Sequence, residues 1–207
     1  MFHLKHPFTC LICGPTQSGK TEFTFKLLKT LETMVSPVPD RVIWCYGEYQ
    51  EKLKNLPSNV LLSDSIANAL DQIDRTKRNL LILDDMMDEA GNANEVSELF
   101  TKGSHHRNLS VVLIVQNMFH QGKKMRTISL NAHYLVLFKN PRDASQIRHL
   151  ANQLFPGKSK YLVDSYMQAT SRPHGYLLLD LTQSTCDKRR VLSDVLPGED
   201  GFFYLPK

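Results

Sequence analysis

One eight-residue stretch, Gly14-Pro15-Thr16-Gln17-Ser18-Gly19-Lys20-Thr21, constrains this chain more than any other feature. It fits G-x-x-x-x-G-K-[ST], the phosphate-binding loop. Glycines let the backbone curl until successive N–H groups point inward at phosphate oxygens. Lys20 places a point charge on the β- and γ-phosphates, and the Thr21 hydroxyl can ligate Mg²⁺. A helix N-terminus behind the loop adds partial positive charge. The flanks supply the required context. Phe8-Thr9-Cys10-Leu11-Ile12-Cys13 is a short apolar run that predicts a buried strand, and the apolar positions 23, 27, 28 and 31 have helical spacing. Strand, glycine loop and helix together predict a nucleoside-triphosphate site.

The second informative stretch is Asn79-Leu80-Leu81-Ile82-Leu83-Asp84-Asp85. Apolar residues ending in two acids describe a central strand with carboxylates at its C-terminal tip, where open α/β sheets place their ligands. In chains with a phosphate loop this is the Walker B element. Asp84 is expected to hold Mg²⁺, and Asp85 stands where a base for the attacking water is needed. A third run, Leu109 to Asn117, is expected to form another strand, apolar along its length and ending in the polar Gln116-Asn117. Such runs predict strands covered on both faces, as in a parallel sheet. Gln116 at the tip can orient a water or sense the γ-phosphate.

Further strands are expected at 41–46, 59–62, 134–138 and 175–181. Helices are expected at 48–56, 65–76, 93–102, 143–154 and 158–169. The alternation implies a three-layer αβα fold with a mainly parallel sheet and right-handed crossovers. Two strand orders compete. In kinase- and GTPase-like proteins the Walker B strand lies beside the phosphate-loop strand. In the additional-strand (RecA/FtsK-like) class another strand lies between them, and Gln116, on the next strand in the chain, favours that class. The class usually reads Asp-Glu at the Walker B tip. Asp84-Asp85 offers a shorter base, which weakens its reach to the water.

At 207 residues the chain fits one domain, with the core at about 8–155 and residues 156–207 as an extension of it. The net charge of +4 permits a polyanionic partner without arguing for one. Four cysteines are too few for a disulfide framework. Cys10 and Cys13 form C-x-x-C, but on a strand they face opposite sides, so buried small hydrophobes are expected rather than a redox pair. His105, His106 and His120 lack cysteines or carboxylates at ligand spacing, so no metal site is expected there. Gln121-Gly122-Lys123-Lys124-Met125-Arg126 is a basic cluster expected in a loop. The aromatic tail, Phe202-Phe203-Tyr204, is expected to pack on the core or on a neighbouring subunit. No signal pattern appears, and no apolar run approaches the ~20 residues of a membrane span, so a soluble intracellular protein is expected.

Four pieces together resemble a known family. They are Gly14 to Thr21, Leu80 to Asp85, the run from His106-Arg107-Asn108 through Ser110 to Gln116-Asn117, and Phe138-Lys139-Asn140-Pro141-Arg142-Asp143. The chain resembles the viral genome-packaging ATPases of the FtsK–HerA superfamily, in the poxvirus-type and Maverick/Polinton (adintovirus-like) branch. The resemblance implies an ATP- and Mg²⁺-dependent motor driving double-stranded DNA into a preformed capsid, with the chain in the host nucleus or cytoplasm or in the virion. It implies a homo-oligomeric ring, a pentamer or hexamer, in which one subunit's arginine enters its neighbour's site. Arg107 is the first candidate for that finger and Arg142 the second. Lys123, Lys124 and Arg126 would then face the channel and grip DNA phosphates without reading sequence. Two other readings stay open: a small-molecule kinase with residues 117–131 as its lid, and a nucleotide-gated scaffold without turnover.

Overall fold

The apolar runs form strands, and the order in which they pair decides between the two arrangements. A computed structural model describes residues 2–86, 92–103, 108–118, 122–142 and 145–206. The chain opens with β1 (Leu4–Lys5), β2 (Thr9–Cys13), α1 (Lys20–Lys29), α2 (Leu31–Met34), β3 (Val35–Ser36) and β4 (Arg41–Tyr46). A 3₁₀ turn at Glu51–Asn55 then leads to β5 (Val60–Ser63), α3 (Ile66–Asp71) and β6 (Asn79–Asp84). The second half holds α4 (Asn92–Glu98, continued by a π-helical turn at Leu99–Gly103), β7 (Leu109–Val115), α5 (Gly122–Leu130) and β8 (Tyr134–Phe138). It closes with α6 (Ser145–Leu154), α7 (Ser159–Ala169), β9 (Tyr176–Asp180), β10 (Val191–Ser193) and β11 (Phe202–Phe203).

Among the described residues nine strands make one sheet, in the order β11-β10-β9-β8-β2-β7-β6-β4-β5, while β1 and β3 form a separate parallel pair. From β5 to β8 every pairing is parallel. From β8 to β11 every pairing is antiparallel. The β7 strand lies between β6 and β2, in register with both (Val112 opposite Cys10 and Ile82). That is the additional-strand order.

Alternation along each strand builds two cores. Leu11 and Cys13 face one side with Ile43, Leu81, Leu83 and Leu113; the side chains of α3 to α7 cover it. Cys10 and Ile12 face the other side with Trp44, Ile82 and Ile114, under Phe23, Phe25, Leu27 and Leu28 of α1. The two cysteines of C-x-x-C therefore lie in different cores, and burial pushes both thiols up to about 12. No ionised thiolate forms at neutral pH, so they act as packing residues.

Several expectations need correction. The basic cluster is not in a loop. Lys123, Lys124 and Arg126 lie on α5, whose buried face carries Met125 and Ile128, and all three basic residues are exposed. Residues 48–56 hold only a 3₁₀ turn, and the helix expected at 65–76 ends at Asp71. The strand expected to run into Gln116-Asn117 stops at Val115, which leaves Gln116 free of the ladder. The tail contributes β10 and β11, which were not expected. Phe202 and Phe203 do not pack on the core; each is 52% exposed on the edge strand, while Tyr204 is half-buried against it.

Candidate functional site

The P-loop starts where β2 runs out of partners. Gly14 N donates to the Val115 carbonyl at 3.3 Å, and the chain then turns into α1 at Lys20. Glycine is required at both ends for different reasons. A Cβ on Gly14 would stand 2.6 Å from the Phe138 Cβ and 2.8 Å from Ser18 Oγ. Gly19 has φ +111°, a backbone that side-chain-bearing residues rarely adopt. Gln17 also takes a left-handed φ of 64°. Lys20 folds back along the loop, its Nζ donating to the carbonyls of Gly14 (2.6 Å) and Pro15 (3.0 Å). Ser18 Oγ is buried with no hydrogen-bond partner, a polar atom in want of a ligand oxygen.

The carboxylates arrive from β6. Asp84 ends that strand, and its backbone carbonyl accepts from Gly47 N at 3.2 Å. Asp85 follows in the left-handed region, φ 59°, which turns it away from the strand line. Burial, and then the adjacent Asp85 charge, push the Asp84 carboxyl up to about 6 against the opposing pull of Lys52 and Lys20. Burial also lowers Lys20 below the usual lysine value. Lys52, from the 3₁₀ turn, is a cation that no motif pointed to.

Two side chains link the three elements. Gln116 Nε2 donates to Asp85 Oδ2 at 3.2 Å, and Thr16 Oγ1 donates to Gln116 Oε1 at 3.4 Å. A polar chain thus runs from the P-loop through the tip of β7 to the second Walker B acid. It exists because β7 is the strand between the other two. Gln116→Leu removes both bonds at an exposed position, so the fold should hold while Asp85 loses its orienting donor. A fall in kcat of ~10–10² with little change in nucleotide affinity is expected, read from steady-state hydrolysis beside equilibrium nucleotide binding. Equal loss of both quantities would assign Gln116 to binding instead.

The remaining candidates divide by place. Thr21 stands in the first turn of α1. Its hydroxyl and the Asp84 carboxylate are hard oxygen donors, the type Mg²⁺ takes from protein when phosphates and waters fill its other positions. The described residues contain no cluster of three metal-ligating side chains, and a site of that kind needs none. Burial and Asp85 raise the Asp84 carboxyl by more than Lys52 and Lys20 lower it, so its charge is under-compensated, which fits a cation there. Arg142 is exposed in the turn after β8, its backbone N–H bound to Asn140 Oδ1 at 3.2 Å. Arg107 lies outside the described residues, as do His105, His106, His120 and Asp143. His174, which abuts Gly19 together with Phe138, was not singled out in the sequence.

Comparison with known proteins adds the family. The model of the poxvirus A32 protein family matches residues 39–182, which is most of the chain. The chain belongs to the poxvirus A32 protein family. The match extends past residue 155, where the recognisable motifs end, and it includes the Walker B, Gln116 and Arg142 segments. No curated protein sequence matches significantly. Among solved structures, the genome packaging NTPase B204 from Sulfolobus turreted icosahedral virus 2, in complex with AMPPCP, is similar with a TM-score of 0.56 at 14% identity, covering 97% of this chain and 98% of that one. The KaiC-like protein PH0186 from Pyrococcus horikoshii OT3 gives 0.47 at 10% identity, covering 96% and 90%. At these identities the likeness speaks for the fold, and only the first score is high enough to carry even that. Fold and family agree: this A32-family member is a P-loop ATPase of the additional-strand class.

Proposed function

We propose that this A32-family ATPase hydrolyses ATP with Mg²⁺ to translocate double-stranded DNA, packaging a viral or virus-like genome into a capsid. The Thr16–Gln116–Asp85 chain carries the hydrolytic part of this reading. It puts an acid and an orienting amide at the end of the P-loop where a terminal phosphate would lie. Lys20 and the loop N–H groups bind the phosphates, and Ser18 Oγ is available to them. Thr21 and Asp84 would hold Mg²⁺, which when bound neutralises charge on the phosphate oxygens. Asp85, steered by Gln116, orients the attacking water and takes its proton. In this reading residues 1–207 are one P-loop domain. Supporting it, α7 and β9 to β11 join the same sheet and cores as the motifs.

The working form we propose is a ring of identical subunits, a pentamer or hexamer. Arg142 or Arg107 from one subunit would complete the next site, where a trans arginine is worth ~10³–10⁵ in rate. Lys123, Lys124 and Arg126 share α5, a helix whose basic residues suit contact with phosphates rather than base edges. No helix among the described residues is long and apolar enough to cross a membrane.

The test is ATP hydrolysis by the assembled chain, with and without long duplex DNA, over a range of salt. Stimulation by DNA that fades as salt rises is expected. Replacing Lys123, Lys124 and Arg126 with alanine should flatten the dependence of log affinity on log salt by up to about 3, roughly 1 for each phosphate no longer neutralised. DNA-independent hydrolysis by the assembled oligomer would rule out the motor. Phosphoryl transfer to a small acceptor rather than water would replace it with a kinase.

A further inference from the structure

A triphosphate on this loop has two ends, and the structure fixes which way each must point. Asp84, Asp85 and Gln116 all lie on the β6–β7 side of β2, so the reacting phosphate belongs there. The rest of the molecule must leave on the other side, toward β8 and β9. On that side the loop borders a cavity of about 310 Å³, entered beside Gly19 and the first turns of α1. Its volume is within the range of small-molecule sites, at the low end.

The cavity wall is aromatic. Phe23 and Tyr176 meet edge to face with centroids 4.8 Å apart, and Phe138 lies 5.8 Å from Tyr176 and 6.1 Å from Phe23. Such walls hold a flat ring by contact with faces and edges. The rim is polar and fixed to the P-loop. His174, in the left-handed region at φ 60°, donates from Nδ1 to the Ser18 carbonyl at 3.2 Å. With its hydrogen on Nδ1, the neutral ring presents Nε2 as an acceptor. Gly19 makes the approach possible: a Cβ there would stand 3.2 Å from both the His174 Cβ and Phe138 Cε1. Across the cavity Glu199 is held by the Tyr176 hydroxyl (2.6 Å) and the Leu196 N–H (3.2 Å), both on Oε2. Together with Glu22 it makes the cavity a poor seat for a second anion. Aromatic walls, a ring-nitrogen acceptor and a fixed carboxylate call for a planar, amine-bearing heterocycle.

We propose that this cavity seats the nucleobase of the bound triphosphate, with His174 positioning the ring and Glu199 accepting from its exocyclic amine. The proposal deepens the ATP reading and rests on it. It assigns a job to the turn before β9 and the turn after β10, in the C-terminal part of the chain. It also couples base to phosphate: His174 touches the backbone of Ser18, so seating the base tightens the loop that binds the phosphates.

The test compares three probes on the full chain by calorimetry: ATP, ITP (in which a carbonyl replaces the 6-amine) and inorganic tripolyphosphate. Lys26→Trp fills the cavity from an exposed helical position one turn beyond the P-loop. It should weaken ATP at least ten-fold and shift tripolyphosphate less than two-fold. His174→Gly, which keeps the positive φ, should weaken ATP three- to ten-fold. Glu199→Gln should bring ATP and ITP to within two-fold of each other from a wild-type preference of about ten-fold for ATP. Parallel losses of ATP and tripolyphosphate in Lys26→Trp, or unchanged ATP affinity there, would overturn the base seat while leaving the phosphate site standing. A wild-type chain that binds neither ATP nor tripolyphosphate would overturn the ATP reading itself.

Discussion

Lys20→Ala is expected to abolish measurable ATP hydrolysis, a loss of at least ~10²–10³ if only one transition-state donor is removed. The structure suggests that the loss is compound. Lys20 Nζ bonds the carbonyls of Gly14 and Pro15, so the ammonium pins the beginning of the loop to its end. Alanine deletes the charge that would meet the β- and γ-phosphates and also leaves two carbonyls without their donor. Nucleotide affinity should therefore fall along with turnover. Lys20→Met separates the two effects, since it preserves most of the side-chain volume but neither the charge nor the hydrogen bonds. Burial already lowers the Lys20 pKa, so the position tolerates a neutral side chain and the fold should survive in both variants. Single-turnover hydrolysis alongside equilibrium nucleotide binding checks the claim. A Lys20→Ala chain that binds and hydrolyses ATP within ten-fold of wild type would remove the P-loop from the mechanism.

The sequence disclosed this much because phosphate chemistry demands few residue types at fixed spacing. Gly14, Gly19, Lys20 and Thr21 could be read directly, and the apolar runs before Asp84 and Gln116 gave β6 and β7. The position of Gln116 also pointed to the strand order, because a polar tip has a use there only if its strand separates the P-loop from the Walker B acids. What stayed hidden depends on contacts between distant segments. His174 reaches Ser18 across the sheet, and Lys52 approaches Asp84 from a turn that follows β4; neither has a local pattern. The strands β10 and β11 hold three and two residues, too short for alternation to register. The basic cluster differs for another reason. Gly122 and the adjacent lysines suggest a loop, but Met125 and Ile128, three apart, are buried on one face and fix the segment as a helix.

Asp84→Asn should make the folded chain more stable at neutral pH while eliminating Mg²⁺-dependent turnover. The Asp84 carboxyl titrates at about 6 in the fold, raised first by burial and then by Asp85, against 3.8 for an unperturbed group. Below both values the group is protonated in folded and unfolded chains alike and contributes no difference. As pH rises past 3.8 the unfolded chain ionises first and is stabilised, so folding stability declines until about 6. Above that the deficit is constant. A shift of about two units corresponds to ~3 kcal/mol. Asparagine keeps the shape and removes the charge, so the gain over wild type should be near zero at about pH 4 and approach ~3 kcal/mol at about pH 7.5, in urea unfolding with EDTA present. A gain that is flat across this range would mean that packing, not the charge, separates the two proteins. Mg²⁺ with ATP should then stabilise the wild type and leave Asp84→Asn little changed, because the charge that weakens the fold is the one assigned to the cation. Thr21, the other proposed ligand, has no carboxylate to substitute. On the proposed reading the destabilising charge sits where the cation would bind, so a more stable Asp84 variant is expected to be a slower enzyme.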